Sequence, residues 1–225
     1  SLSWSMVKES LGSSTDASNI EYQIYQNGTN VAQTTSTSYS VTGLTNGTTY
    51  SFTVSAKNTS TGVEGAQSGA ETATPRYQGP KWYVAASGGE SLSDTTTNYD
   101  LGSSSSPINH LSNGIEIAAA GDTIVMMKGT HTGSNNRGIN EDGNKSFVIM
   151  GDPDYSADQT IMDAGGRDRH FTFDNSEDTT FQIIGLTLYN GKTTTRGGGS
   201  IKLESAAVKL KNVIFKENYS TGGDW

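Results

Sequence analysis

The chain of 225 residues contains no cysteine. This removes disulfide staples, thiolate metal sites and cysteine nucleophiles together, so stability must come from core burial and backbone hydrogen bonds. Charge is also scarce, at 17% of residues, and hydrophobic residues reach only 32%. Disordered chains couple low hydrophobicity to high charge; here both are low, so uncharged polar residues must decorate an ordered structure. Basic residues are outnumbered, with 15 Lys and Arg against 23 Asp and Glu and a net charge of −8. Nucleic acid is therefore not an expected partner, because a phosphate backbone needs a basic face to release its counterions. Anionic membrane surfaces are disfavoured on the same ground. No apolar run approaches the ~18 residues of a membrane span, so no membrane insertion is expected in this segment. The sequence as it stands shows no signal-peptide pattern, and Ser1 already adjoins a strand pattern. The sequence is expected to be a segment or a processed form, in which a missing leader carries no information.

What fills the gap is Gly (27 residues), Ser, Thr and Asn. Thr and Ser tolerate strands, and Gly and Asn supply turns, which points to many short strands joined by many turns. Residues 1–75 alternate with period two. Leu2 and Trp4 share one strand face, and Tyr22 and Ile24 share the next, followed by the tight-turn pair Asn27-Gly28. Tyr50, Phe52, Val54 and Ala56 then alternate without a break, the pattern of a half-buried strand. No helical period appears in this stretch. Strands at this spacing predict a sandwich.

The run Gly43-Leu44-Thr45-Asn46-Gly47-Thr48-Thr49-Tyr50-Ser51-Phe52-Thr53-Val54-Ser55-Ala56 resembles the E–F region of fibronectin type III domains. Trp4 matches that family's core Trp, and Tyr22 to Gly28 its third strand and turn. The resemblance covers residues 1–75. It implies that Tyr50 is the tyrosine-corner residue, with its ring buried and its hydroxyl bonded to nearby backbone. The family's first strand should precede Trp4 by about ten residues, and it is missing. An open sheet edge would invite pairing with another chain, so the segment alone is expected to aggregate or to need flanking sequence.

Thr74 to Pro80 carries two prolines, and residues 76–80 read as an extended linker. From Lys81 the pattern changes. Trp82-Tyr83-Val84 predicts a short strand, and Ile108, Leu111, Ile115 and Ala119 a short helix. Short strands follow at Ile124 to Met127, Phe147 to Met150, Thr160 to Met162, Phe171 to Phe173, Phe181 to Leu188, Ile201 to Leu203 and Val208 to Phe215. Phe181, Ile183, Leu186 and Leu188 recur 27 residues later as Val208, Leu210, Val213 and Phe215, and Gly185 falls on Asn212. A unit this small cannot bury its face alone, so successive units must stack. On that register Gln182, Thr187, Lys209 and Lys216 face out, and Asn190 and Asn218 begin a stacked Asn ladder.

The opening Trp82-Tyr83-Val84, the helix, and Ala120-Gly121-Asp122-Thr123-Ile124 resemble the N-terminal cap of pectate-lyase-like β-helix proteins. Gly197-Gly198-Gly199-Ser200-Ile201 and Asn218 with Gly222-Gly223 resemble repeats of β-helical bacterial surface proteins. The resemblance covers residues 81–225. The expected fold is thus all-β: a fibronectin type III-like β-sandwich over 1–75, then the cap and first rungs of a right-handed parallel β-helix over 81–225, truncated in mid-repeat.

Candidate chemistry is sparse. Lyases of the resembled superfamily need a Lys or Arg base and often Ca²⁺ held by carboxylates. Arg167, Arg169, His170, Lys192 and Arg196 are the candidate substrate-binding cations. Arg167 to His170 precede a strand, so alternate members can share one face; a solvated, charge-balanced turn fits the same residues. Asp152, Asp154, Asp158 and Asp163 are candidate Ca²⁺ ligands or a paired-carboxylate site, and equally ordinary loop acids. Glu141-Asp142-Gly143-Asn144 is a further acidic loop without EF-hand spacing. Apart from Ca²⁺, no cofactor is expected. The three histidines, His110, His131 and His170, are too far apart for a zinc motif. Tyr25, Trp82 and Trp225 are the aromatics available for sugar stacking, with Trp82 expected inside the cap.

The function expected is that of a secreted or cell-surface modular protein, structural or adhesive, partnered by polysaccharide or surface components. The alternative is a carbohydrate-active enzyme, a polysaccharide lyase or glycoside hydrolase, with its catalytic rungs elsewhere. Both use one architecture, so fold does not separate them.

Overall fold

The computed structural model describes residues 1–5, 19–93, 97–141, 145–174 and 181–222. Packing divides the chain into two units, Ser1–Arg76 and Tyr77–Trp225.

The first unit holds β1 (Leu2–Ser3), β2 (Ile20–Gln26), β3 (Thr29–Thr34), β4 (Ser38–Tyr39), β5 (Tyr50–Asn58) and β6 (Glu71–Ala73). All described pairing in this unit is antiparallel: a four-stranded sheet in the order β3-β2-β5-β6, and β1 against β4. The β2–β3 hairpin turns on Asn27 and Gly28, at φ 49° and 80°. Two positive φ values match the twist of the flanking strands, which is why Asn-Gly closes two-residue hairpins. Tyr22, Ile24 and Phe52 are buried, and Trp4 meets Tyr22 edge-on at 5.4 Å. The tyrosine corner is present: the Thr45 N–H donates to the Tyr50 hydroxyl at 3.0 Å. That bond holds the Tyr50 phenol below its ordinary pKa. The ring is half-buried rather than buried.

The second unit begins with β7 (Lys81–Val84), α1 (Leu111–Ile117), β8 (Thr123–Met126), β9 (Gly129–His131) and β10 (Ile139–Glu141). It continues through β11 (Val148–Gly151), β12 (Thr160–Asp163), β13 (Phe171–Asp174), β14 (Phe181–Ile184), β15 (Thr187–Tyr189), β16 (Lys192–Thr193) and β17 (Ile201–Glu204). It ends with β18 (Val208–Lys211), β19 (Ile214–Lys216) and β20 (Tyr219–Ser220). These strands form sheets in the orders β7-β8-β11-β14-β18, β9-β12-β15-β19, β10-β13-β17 and β16-β20. Every described pair within this unit is parallel. The chain visits the sheets in turn and returns to the first, one circuit further along.

The 27-residue register is present where the sequence repeats. Phe181 sits beside Val208, Ile183 beside Leu210, and Leu188 beside Phe215. Other steps differ: Thr123 pairs Val148, Val148 pairs Gln182, Ile139 pairs Phe171 and Phe171 pairs Ile201. The period is therefore a local property of the last step, because loops of unequal length connect the earlier strands. The runs read as single strands at 181–188 and 208–215 each bend in the middle. Gly185 (φ 64°) and Asn212 (φ 52°) occupy the bends, a conformation open to Gly and Asn at little cost.

The Asn ladder does not form. The residue stacked on Asn190 is Glu217, which shares its positive φ (56° and 55°), while Asn218 lies over Gly191 instead. Its Oδ1 accepts the Gly191 N–H at 2.6 Å and its Nδ2 donates to the Leu188 carbonyl at 2.7 Å. Thr187, expected to face out, is buried and donates its hydroxyl to the Ala157 carbonyl at 2.8 Å.

At the start of this unit Asp122 acts as a clasp. One carboxylate oxygen accepts the Trp82 indole N–H at 2.7 Å and the Ala119 N–H at 2.8 Å, joining β7 to the end of α1. Leu111 opens α1 with its N–H held by Asn136 Oδ1 at 2.8 Å, and it is fully buried. Tyr77, from the stretch read as linker, packs edge-on against Trp82 at 5.4 Å and donates its N–H to Tyr99. Behind these lie Phe147, Phe171, Phe173, Phe181, Ile183, Leu186 and Leu188 in one apolar core.

Candidate functional site

The turn from Gly166 to Arg169, between β12 and β13, faces the stretch Lys192 to Thr195. Together they line a cleft of about 370 Å³. Parallel stacking places them there: the Lys192 N–H donates to the Asp168 carbonyl at 2.9 Å, one circuit apart. The structure thus brings Arg167, Arg169 and Lys192 together out of the five cations singled out from the sequence.

Their environments differ. Arg167 is exposed and Lys192 half-buried, the latter with its ammonium 5.3 Å from the centroid of the Tyr219 ring. Arg169 is only 5% exposed. Its Nη2 donates to Thr193 Oγ1 and Thr195 Oγ1, both at 2.8 Å, and to the Arg196 carbonyl at 3.3 Å. Arg196 contributes that carbonyl and is not among the lining residues. Asp168 supplies the acid of the wall, with Oδ1 accepting the Arg169 N–H at 2.8 Å.

His170 is not available to a ligand, which corrects its place among the substrate-binding candidates. It is fully buried, with Nε2 against the Met162 carbonyl at 2.9 Å and Nδ1 against Ser200 Oγ at 3.0 Å. A carbonyl only accepts, so Nε2 carries the proton and Nδ1 accepts from the serine. Arg169, His170 and Phe171 are buried in succession, so the imidazole is held inside by these two hydrogen bonds and not by strand alternation.

The acids expected to hold Ca²⁺ are not gathered. Asp152 Oδ1 accepts the Asp154 N–H, Asp158 accepts the Ser156 hydroxyl, and Asp163 Oδ1 accepts the Gly165 N–H. Each caps its own turn, the usual occupation of loop Asp. Among the described residues no three His, Asp or Glu come together as metal ligands. Of the acidic loop at 141–144, Asp142, Gly143 and Asn144 lie outside the described residues, as does Trp225. Tyr25 is half-buried with its hydroxyl donating to Glu64, and Trp82 is buried and offers no free ring face for a sugar.

Thr193 and Thr195 line the cleft and Tyr219 adjoins it through the Lys192 ammonium; none of the three was singled out from sequence. The available signal was their spacing: Thr193 and Thr195 follow Arg169 by about one circuit.

The buried histidines give the second unit a pH dependence. Desolvation holds His131 and His170 below the ordinary imidazole pKa, and the carbonyl bonds to Met127 and Met162 only partly offset it. The unfolded chain, titrating near 6.5, takes up protons that the folded chain does not. Stability is therefore full above about pH 6.5 and is lost as pH falls toward the depressed folded values. Urea midpoints measured across this range should decline on acidification, with His170 ring signals titrating below those of a model imidazole. A flat profile would contradict the neutral, buried assignment.

Residues 1–70 match the family model of the Fibronectin type III domain, so such a domain stands at the start of the chain. The chain is similar to Chitinase Chi52 of Paenibacillus xylanexedens, 28% identical over 227 residues, covering 94% of this chain and 40% of the relative. It is also similar to Chitinase D of Niallia circulans, 28% identical over 206 residues, covering 85% of this chain and 37% of that protein. The chain spans about two fifths of the length of these curated relatives. No solved structure matches it.

Proposed function

We propose that the chain is part of a secreted, carbohydrate-associated modular protein. In this reading the fibronectin type III domain is a spacer or presenting module, and the second unit is the cap and opening rungs of a right-handed parallel β-helix. The fold assignment is supported by the uniformly parallel pairing and by the chain's cyclic passage among the sheets. A right-handed crossover is the sense in which parallel strands of one sheet are almost always joined. The extracellular assignment draws on the composition and on the names of the relatives. Among the described residues, no helix is long and apolar enough to cross a membrane.

The observation that carries the carbohydrate reading is the cleft beside Tyr219. Tyr219 is 48% exposed, and its ring lies next to Lys192 and its hydrogen-bonding neighbours. An apolar ring face beside fixed donors is the combination that orients a saccharide, because stacking takes the ring's C–H face and donors take its oxygens. The site is a binding surface, and the segment's role is structural and adhesive.

Pull-down of the 225-residue chain on insoluble chitin and on an acidic polysaccharide gel tests this directly. Retention on at least one is expected, and Tyr219→Ala should weaken it about threefold to tenfold, the worth of one aromatic contact. Retention on neither matrix would end the carbohydrate reading. The second reading, a carbohydrate-active enzyme in which this segment supplies binding, is favoured by the names of the two relatives. It predicts release of reducing sugar by the full-length protein.

A further inference from the structure

The Arg169 guanidinium is a buried charge without a buried counter-charge. Nη2 is engaged by two threonine hydroxyls and a carbonyl, while Nη1 is buried and bonds to nothing. Gly197 closes over it, so that a Cβ there would sit 3.2 Å from Nη1. No carboxylate among the described residues ion-pairs with it; the ion pair found there joins Lys202 to Glu204. Buried charges are ordinarily paired, because an unpaired one loses its hydration without return.

Counting protons shows what the site offers. Thr193 Oγ1 accepts from Arg169 Nη2 and from the Thr195 N–H at 3.1 Å. Its own proton therefore goes to Thr195 Oγ1, 2.9 Å away. Thr195 Oγ1 thus accepts from both Arg169 and Thr193, and its proton is left over. Lys192 and Arg167 add ammonium and guanidinium donors in the same cleft. Against three cations stands one acid, Asp168, with an oxygen already committed to the Arg169 backbone. A group that only accepts hydrogen bonds and carries negative charge complements this set; a neutral hydroxyl would satisfy the donors and leave the charge unbalanced.

We propose that the cleft between Gly166–Arg169 and Lys192–Thr195 binds an oxyanion, a carboxylate or sulfate group, carried on an acidic saccharide. The anion site stands on charge and hydrogen bonding alone; only its placement on a saccharide rests on the carbohydrate reading. Lys192, Arg167 and the Thr195 hydroxyl contact the ligand, and Arg169 is a positioning residue that holds the two threonines and supplies positive potential beneath them.

The test is a ¹⁵N NMR titration of the 225-residue chain with sodium sulfate, against sodium chloride at equal ionic strength. It is followed by an oligosaccharide bearing a carboxylate on each ring, and by its methyl ester. Saturable shifts confined to residues 166–169 and 192–195 are expected with sulfate and with the acid, and none with the ester. Arg167→Met and Lys192→Met should each weaken binding at least about tenfold, the worth of one charge-assisted bond. Lys209→Met, on an exposed strand position, should leave it unchanged. Shifts that grow linearly and equally with both salts, or affinity unaltered in the two cleft variants, would overturn the anion site. If those variants still bind a polysaccharide matrix as the parent does, the carbohydrate reading survives that failure. If sulfate saturates the cleft and the acidic oligosaccharide does not displace it, the saccharide assignment falls and the anion site stands.

Discussion

Phe181→Ala is expected to destabilise the second unit by about 3–5 kcal/mol, as large aromatic-to-alanine truncations in closed cores do. Phe181 is fully buried on β14, the strand that joins β11 to β18. Its ring meets Phe147 edge-on at 4.6 Å and Phe173 at 4.9 Å, and Phe173 stacks on Phe171 at 5.6 Å. The truncation therefore removes apolar contact and two ring pairs, the latter worth ~0.5–1.5 kcal/mol each beyond their area. The void cannot collapse easily, because parallel ladders fix the strands on both sides of β14. Domains of ordinary stability hold only ~5–15 kcal/mol in reserve, so urea unfolding should show the second unit near its margin. A loss below about 1 kcal/mol would be the scale of a surface substitution and would mean that the four rings do not form one packed cluster.

Several parts of this structure were legible in the sequence because they depend on local chemistry. Asn27-Gly28 marked its hairpin, and Tyr50 its corner, since turn geometry and a hydroxyl-to-backbone bond are decided within a few residues. The step from β14 to β18 was legible because both carry the same order of apolar side chains with equal connection lengths. Neighbouring steps were not, since the intervals from Thr123 to Val148 and from Val148 to Gln182 differ while their strands are alike. Period two was also an incomplete guide to burial. On β5 Phe52 is buried as expected, but Ser55 on the opposite face is buried too, and its hydroxyl is held by Glu64.

The cleft was half legible. Arg167, Arg169 and Lys192 stood out as cations in an acidic chain. Their threonine partners did not, because Thr is common throughout this sequence and nothing local distinguishes Thr193 or Thr195. Only stacking one circuit on the next brings them under Arg169. His170 was misplaced because it shares a charged run with Arg167 and Arg169, while its ring is held inside by Met162 and Ser200.

Leu186→Ala and Lys209→Ala form the sharpest pair for testing the stacked register. Leu186 lies beyond the Gly185 bend, fully buried, and its carbonyl accepts the Ile214 N–H at 3.0 Å. Its truncation is expected to cost about 2–5 kcal/mol. Lys209 pairs with Gln182 on the outward face and is exposed, so its truncation should change stability by less than about 0.5 kcal/mol. The apolar line itself becomes exposed along its length. Ile183 and Leu188 are fully buried, whereas their partners Leu210 and Phe215 are 45% and 49% exposed. Truncating Leu210 should therefore cost clearly less than truncating Leu186, although both sit on the same stacked face. A gradient of loss from Leu186 through Leu210 to Lys209 in urea midpoints is what parallel stacking requires. Equal losses at Leu186 and Lys209 would mean that the two circuits do not share an inner face.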